Sequence, residues 1–162
     1  MGSLPAVYYY GGDGKRYVFP NEKTYRTWYA DFAGVQTVSD ATLASVAIGG
    51  NVTYRPGTQM VKITTDPKVY AVGAGGTLRW VSTEAVATAL YGASWASMVE
   101  DVPDAFFVNY TLGTTIAAAT DYTKSAVLAA ASSINTDKNL GGTAPAAPVG
   151  PAVISAMDGG SP

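Results

Sequence analysis

The side chains able to carry chemistry are few and restricted in type. Glu100, Asp101 and Asp104 form the one local acidic cluster, and Glu22, Asp31 and Asp40 are scattered acids nearer the start. Two carboxylates about 5 to 9.5 Å apart in a groove are the apparatus of glycoside hydrolysis. The run Glu100-Asp101-Val102-Pro103-Asp104, however, stands at a helix-to-turn junction, where aspartate is expected for turn and capping reasons alone. A calcium loop at Asp13-Gly14 or at this run would need the D-x-D-x-D-G spacing, which is absent. Serine–lysine catalysis needs a pattern such as S-x-x-K with oxyanion elements beside it, and none is readable. Gly73-Ala74-Gly75-Gly76 joins two strands, with no Lys-Ser/Thr after it, so it reads as a hairpin turn and not a phosphate loop. The chain has no cysteine and no histidine. That removes Cys/His zinc sites, thiol nucleophiles and the commonest general base. The expectation is a protein without catalytic, metal or cofactor-binding residues, and not an enzyme.

The aromatic residues pose the more open question. Eleven tyrosines and three tryptophans could stack against sugar rings. Tyr25, Trp28, Tyr29 and Phe32 fall at i, i+3, i+4 and i+7, one face of a helix, which favours a core role. Tyr8, Tyr9 and Tyr10 sit in one strand, so Tyr9 must face away from its two neighbours. That makes Tyr9 a candidate assembly contact. Asn51-Val52-Thr53 and Asn109-Tyr110-Thr111 are N-x-T sequons. The preferred reading is Asn capping a turn before a Thr-rich strand.

The elements that position these residues come in two similar sets. Val7–Tyr10 and Arg16–Phe19 predict a hairpin around Gly11-Gly12-Asp13-Gly14. Asn21 then caps a helix reaching about Phe32, ended by Gly34. Ser39 caps a short helical turn, Ile48-Gly49-Gly50 reads as a turn, Val52–Arg55 as a strand and Pro56-Gly57 as a turn. Gln59–Thr64 predicts a strand that hands over at Thr65-Asp66-Pro67. Val69–Val72, Leu78–Val81 and a helix starting at Ser82-Thr83-Glu84 repeat the plan. Val7-Tyr8 matches Val69-Tyr70, Arg16-Tyr17-Val18 matches Arg79-Trp80-Val81, and Asp104 stands opposite Asp40. A self-similarity with a period of about 60 residues sets architecture before any local assignment does.

The predicted class is therefore α+β: two tandem copies of a β-hairpin–helix–turn–strand unit, residues 4–65 and 66–116. An Ala/Ser-rich segment, 117–140, and an Ala/Pro/Gly-rich extended tail, 141–162, follow. Each copy alone buries little apolar surface. The two are expected to share one core of Val7, Tyr17, Phe19, Tyr25, Trp28, Val69, Trp80, Leu90, Trp95, Phe106 and Phe107. Lys124–Ala131 is compatible with a helix of mostly alanine. Pro145, Pro148 and Pro151 favour extended chain in the tail. The tail reads either as a linker to a further region or as a donor whose Val149, Val153 and Ile154 add to a neighbouring subunit's sheet edge.

Composition narrows the partners. Of 162 residues, 48% are hydrophobic and only 14% charged, with a net charge of −2. A typical domain carries about 25% charged residues, so this surface must be built from Thr, Ser, Asn, Gly, Ala and Tyr. No basic run exists to hold nucleic acid. No stretch reaches the roughly 18 apolar residues of a membrane span, so no membrane insertion is expected. Met1-Gly2-Ser3 begins no signal peptide and reads as a tag remnant on a piece of a longer protein.

The phrases VYYYGGDGKRYVFPNEKTYRTWY, GNVTYRPGTQMVKITTDPKVYAV and GGTLRWVSTEAVATALYG, with DVPDAFFVNYTLG after them, resemble a repeat of surface-exposed, S-layer-like proteins of Candidate Phyla Radiation (Patescibacteria) bacteria. The resemblance spans roughly Leu4 to Ile116. It implies an extracellular, cell-surface, non-enzymatic structural or adhesive role. Other copies of the same chain are then the expected partners, in a lattice or filament, and no site residue is carried over. The alternative is a carbohydrate- or cell-wall-binding module that meets cell-surface glycan through exposed aromatics.

Overall fold

The computed structural model describes residues 6–141 and 153–156. It is a mixed α+β protein with two five-stranded sheets and six α-helices among the described residues. The chain divides into two compact units: Thr53–Asn139, and the residues up to Val52 together with those from Leu140 onward.

The Thr53–Asn139 unit contains β5 (Met60–Ile63), β6 (Val69–Gly73), β7 (Thr77–Trp80), α3 (Glu84–Tyr91), β8 (Val99–Val102), α4 (Asp104–Phe107) and β9 (Thr111–Leu112). Its sheet runs β8-β5-β6-β7-β9. β5 pairs antiparallel with β6 and β6 with β7, while the outer pairs β5–β8 and β7–β9 are parallel. Both faces are covered. Met60, Ala71 and Val81 pack with Val86, Ala87 and Tyr91 of α3 and with Ile116 and Tyr122. Val61, Tyr70, Val72, Leu78 and Val102 pack with Tyr54 and, from α4 and the residues after it, Phe106, Phe107 and Tyr110. A sheet buried on both sides loses the alternation of apolar and polar residues and reads as a continuous apolar run, as at Val69–Val72.

The Ala/Ser-rich segment belongs to this unit. It forms α5 (Lys124–Ala130) and α6 (Ile134–Lys138) and buries Tyr122, Ala131 and Ile134. The Tyr122 hydroxyl donates to the Val72 carbonyl (2.8 Å), and Arg55 Nε donates to the Ala131 carbonyl (3.0 Å). The boundary before the unit falls at Val52/Thr53 and not at residue 65, because β5 is built into this sheet between β6 and β8.

The other unit contains β1 (Val7–Tyr10), β2 (Arg16–Val18), α1 (Glu22–Trp28), β3 (Val35–Val38), α2 (Asp40–Ala44), β4 (Ile48–Asn51) and β10 (Val153–Ala156). Its sheet runs β3-β10-β1-β2-β4. α1 is shorter than its aromatic spacing predicts: it stops at Trp28, with Tyr29 extended at φ −131° and ψ 137°. Asp31 takes over locally, accepting from the Ala33 N–H (2.9 Å), while the Tyr25 hydroxyl donates to the Asp31 carbonyl (2.8 Å). The aromatic face survives the loss of helix. Tyr25 stacks on Phe32 at 4.4 Å and meets Phe19 edge-on at 5.1 Å.

Ile48-Gly49-Gly50 is strand and not turn. A Cβ on Gly49 would lie 2.4 Å from Cζ of buried Tyr17, so glycine is required there by a ring laid over the backbone, not by turn geometry. Val52–Arg55, expected as strand, lies outside the ladders.

Four helices begin as their sequences predict or permit. The side chains of Asn21, Ser39, Thr83 and Ser133 accept from the backbone N–H three residues on, at 2.8, 3.2, 3.2 and 3.0 Å. Asn21→Ala is expected to cost about 1 kcal/mol by chemical denaturation, the usual worth of an N-cap. A loss below a few tenths would mean that α1 is held by packing alone.

Candidate functional site

The acids are occupied in local structure. Glu100 and Asp101 are adjacent on β8, so their side chains leave opposite faces of the strand and do not converge. Asp101 forms an exposed ion pair with Lys62 of β5 at 3.3 Å, a contact of small energetic weight. Asp104 accepts from the Thr65 hydroxyl at 3.3 Å. Among the described residues no group of three or more acids is placed to hold a metal ion.

Asp13 and Asp66 share one device that the sequence also spells, D-x-K-x-Y. Each carboxylate accepts from the backbone N–H two residues on, Lys15 at 3.2 Å and Lys68 at 2.9 Å. Each also accepts from a tyrosine hydroxyl four residues on, Tyr17 at 2.7 Å and Tyr70 at 3.0 Å. Both turns lead from one antiparallel strand into the next, and the tyrosine locks the turn to the strand it enters. Donation from Lys68 N–H, with the Tyr70 hydroxyl adding to it, holds the Asp66 carboxyl below its ordinary range. Burial, reinforced by Asp13, pushes the Tyr17 phenol up to about 12.

An open cleft of about 360 Å³ lies in the Thr53–Asn139 unit, between the β5–β6 turn and the start of α3. Trp80 and Trp95 line it, with Lys68, Ser82, Thr83 and Glu84 as its polar members. Trp80, expected in the core, is 36% exposed, and Trp95 is half-buried. Trp80 is the last residue of β7, and the Lys68 ammonium sits 5.2 Å from its ring centroid. Two indoles beside hydroxyls and a carboxylate are the side-chain set that stacks on a sugar ring and hydrogen-bonds its rim. Thr83 is committed to capping α3. Sequence reasoning missed this cleft because it placed both tryptophans in the core, and because Trp95 and Lys68 come beside Trp80 only in the folded chain.

The candidate assembly contacts fall in the other unit. Tyr9 is buried, at 7% exposure, and is paired with Tyr17 on one side and Val153 on the other. It therefore faces inward, while Tyr8 and Tyr10 are the half-buried pair. Val153 and Ile154 lie in β10, which enters the interior of the sheet between β1 and β3 of its own chain, not at a sheet edge. Val149 lies outside the described residues. Of the expected core, Tyr17, Phe19 and Tyr25 are buried, and Val7, Trp28, Val69, Leu90, Phe106 and Phe107 are half-buried.

The two sheets have the same plan: parallel, antiparallel, antiparallel, parallel, in the order β3-β10-β1-β2-β4 and β8-β5-β6-β7-β9. The register agrees as well. Val7 and Val69 carbonyls each accept from the residue just after the paired strand, Phe19 and Val81. Val18 thus corresponds to Trp80, one residue off the match of Tyr17 with Trp80 suggested by sequence. Each unit ends in a short parallel outer strand with an exposed apolar residue, Ile48 in β4 (65% exposed) and Leu112 in β9 (68%). In comparisons with known proteins, no family model, no curated protein and no solved structure matches this chain.

Proposed function

We propose that this chain is a non-enzymatic structural protein of the cell surface that self-assembles through contacts between identical copies, as subunits of an S-layer-like lattice or filament. Its two units are copies of one hairpin–helix–strand module. The observation that carries this reading is the shared sheet plan, in which equivalent strands recur in the same order, direction and register. A module repeated along a chain makes extended surfaces, not a single pocket. Supporting it are outer strands bearing Ile48 and Leu112, which leave apolar residues beside unpaired backbone groups, and a chain of only 14% charged residues. Such edges are what natural monomers protect with lysine or proline.

The test is light scattering after size exclusion, with negative-stain microscopy, across a wide range of concentrations. Association that grows with concentration into regular particles is the expected result; a strict monomer under every condition overturns the reading. In an assembly built on the outer strands, Ile48→Lys combined with Leu112→Lys should weaken association at least about tenfold, since each places a charge in an apolar contact.

A second reading rests on the Trp80–Trp95 cleft: a carbohydrate-binding module for cell-wall or cell-surface glycan. It expects a change in tryptophan fluorescence on titration with soluble glycan fragments. Trp80→Ala should weaken binding by roughly two- to tenfold, given an aromatic stacking worth of roughly 0.5–1.5 kcal/mol. Unchanged fluorescence across a panel of glycans would remove this reading and leave the first untouched.

A further inference from the structure

In the Thr53–Asn139 unit, the strand between β6 and β8 is β5, which immediately precedes β6 in the chain. In the other unit, the same position, between β1 and β3, is filled by β10 from the far end of the described chain. The correspondence holds residue by residue. Met60, Val61 and Lys62 pair with Ala71, Tyr70 and Val69 on one side and with Val99, Glu100 and Asp101 on the other. Val153, Ile154 and Ser155 pair with Tyr9, Tyr8 and Val7 on one side and with Val35, Gln36 and Thr37 on the other. The sequences match in kind: apolar, apolar, polar, apolar in both Met60–Ile63 and Val153–Ala156. The outer partners match too, Val35-Gln36-Thr37-Val38 against Val99-Glu100-Asp101-Val102. β3 is joined to its sheet through β10, and Tyr9 is buried beside it. The module that opens the chain is therefore incomplete by itself.

Resting on the self-assembly reading above, we propose that the position between β1 and β3 is a donor-strand site, and that its donor, Val153–Ala156, is supplied by a second copy of this chain as well as by its own. Reciprocal exchange closes a dimer; one-way exchange leaves one site and one donor open and propagates. The backbone pairing is the same in both arrangements, so the choice between them rests on connectivity and concentration, which is why exchange of identical elements is a low-cost route to assembly. Residues 141–152 join the donor to the rest of the chain and include Pro145, Pro148 and Pro151. Their fully extended reach is roughly 40 Å, and Leu140 just before them lies against Gly11 at the end of β1, so closure within one chain and exchange are both within reach. Backbone pairing on both sides of the donor, with apolar residues at alternate positions, is the recognition mode of strand addition.

The chain has no cysteine, so a pair introduced at Val7 and Ser155, which face each other across β1 and β10, reports the donor's origin without interference. Full-length Val7→Cys/Ser155→Cys chains, isotope-labelled and unlabelled, are mixed in denaturant, refolded together over a range of concentrations and oxidised. Non-reducing electrophoresis and mass spectrometry then distinguish disulfides within a chain from those between chains. The expected result is a fraction of labelled–unlabelled species that rises with concentration. Ile154→Pro, which removes a ladder N–H and forces the strand out, should abolish the exchanged species and the concentration-dependent association together.

Disulfides that stay within one chain at every concentration would overturn the proposal, as would failure of the two cysteines to pair at all. If the Ile154→Pro chain still forms regular particles, donor exchange falls and assembly through other faces stands. If exchanged dimers form but nothing larger grows, exchange stands and the lattice falls.

Discussion

Gly57→Ala is expected to destabilise the protein by about 3 kcal/mol or more, a size reserved for backbone strain combined with a clash that cannot relax. Gly57 occupies a tight turn closed by the Thr58 N–H to the Arg55 carbonyl (3.3 Å) and has φ +77°. A non-glycine residue in that region costs about 1–2 kcal/mol by itself. The added Cβ would also lie 2.6 Å from the Lys124 carbonyl oxygen and 2.9 Å from the Leu128 Cβ. Lys124 begins α5, so the obstructing atom is helix backbone, which cannot rotate away as a side chain would. Gly75→Ala is the control. Its φ is +65°, but its nearest neighbour would be the Asp137 carbonyl oxygen at an ordinary 3.6 Å, so only the backbone cost of about 1 kcal/mol is expected. Urea denaturation of the two variants measures the difference. Equal losses would show that α5 does not press on this turn.

The second large effect is alkaline. Without histidine or cysteine, no side chain of ordinary ionisation titrates between about pH 6 and 9, and stability there should be nearly flat. Burial raises the phenols of Tyr25, Tyr29, Tyr70, Tyr91, Tyr110 and Tyr122 above their ordinary value of 10.0, and that of Tyr17 to about 12. Raised folded values mean that folding favours the protonated phenol. This contribution is complete below pH 10, where the unfolded phenols are also protonated, and is lost as the pH climbs through the folded values. Each tenfold displacement of an ionisation is worth about 1.4 kcal/mol, and the seven phenols act in the same direction. Stability should therefore fall throughout this range, against a typical domain stability of about 5–15 kcal/mol. Tyrosinate absorbance should therefore rise in a steep step between about pH 10 and 12, together with loss of circular dichroism. A gradual rise centred on pH 10 in a still-folded chain would contradict the burial of these rings.

Much of the local structure was legible in sequence because its causes are local. Asn21 and Ser39 cap helices by reaching the N–H three residues ahead, which needs nothing beyond the segment itself. Gly73–Gly76 joins β6 to β7 as the strand–glycine–strand pattern required, with Gly75 and Gly76 at φ +65° and +76°. Lys124–Ala130 is helical, as its alanines favour, and Ala131, Ile134 and Tyr122 around it are buried. Where the reading failed, a distant partner decided. Gly49 looked like turn chemistry and is the seat of the Tyr17 ring. Trp80 looked like core and lines a cleft with Lys68 and Glu84.

By itself the sequence determined the α+β class, the strand–turn–strand segments, the helix starts and the absence of histidine and thiol chemistry, because composition, caps and turns act over a few residues. Only the tertiary structure decided that Val153–Ala156 lies inside the sheet of β1 and β3, that Ile48–Asn51 is a strand and that two tryptophans open onto one cleft. These depend on pairings between residues far apart in the chain. A four-residue strand carries too little information to name its partner until the position that accepts it has been built.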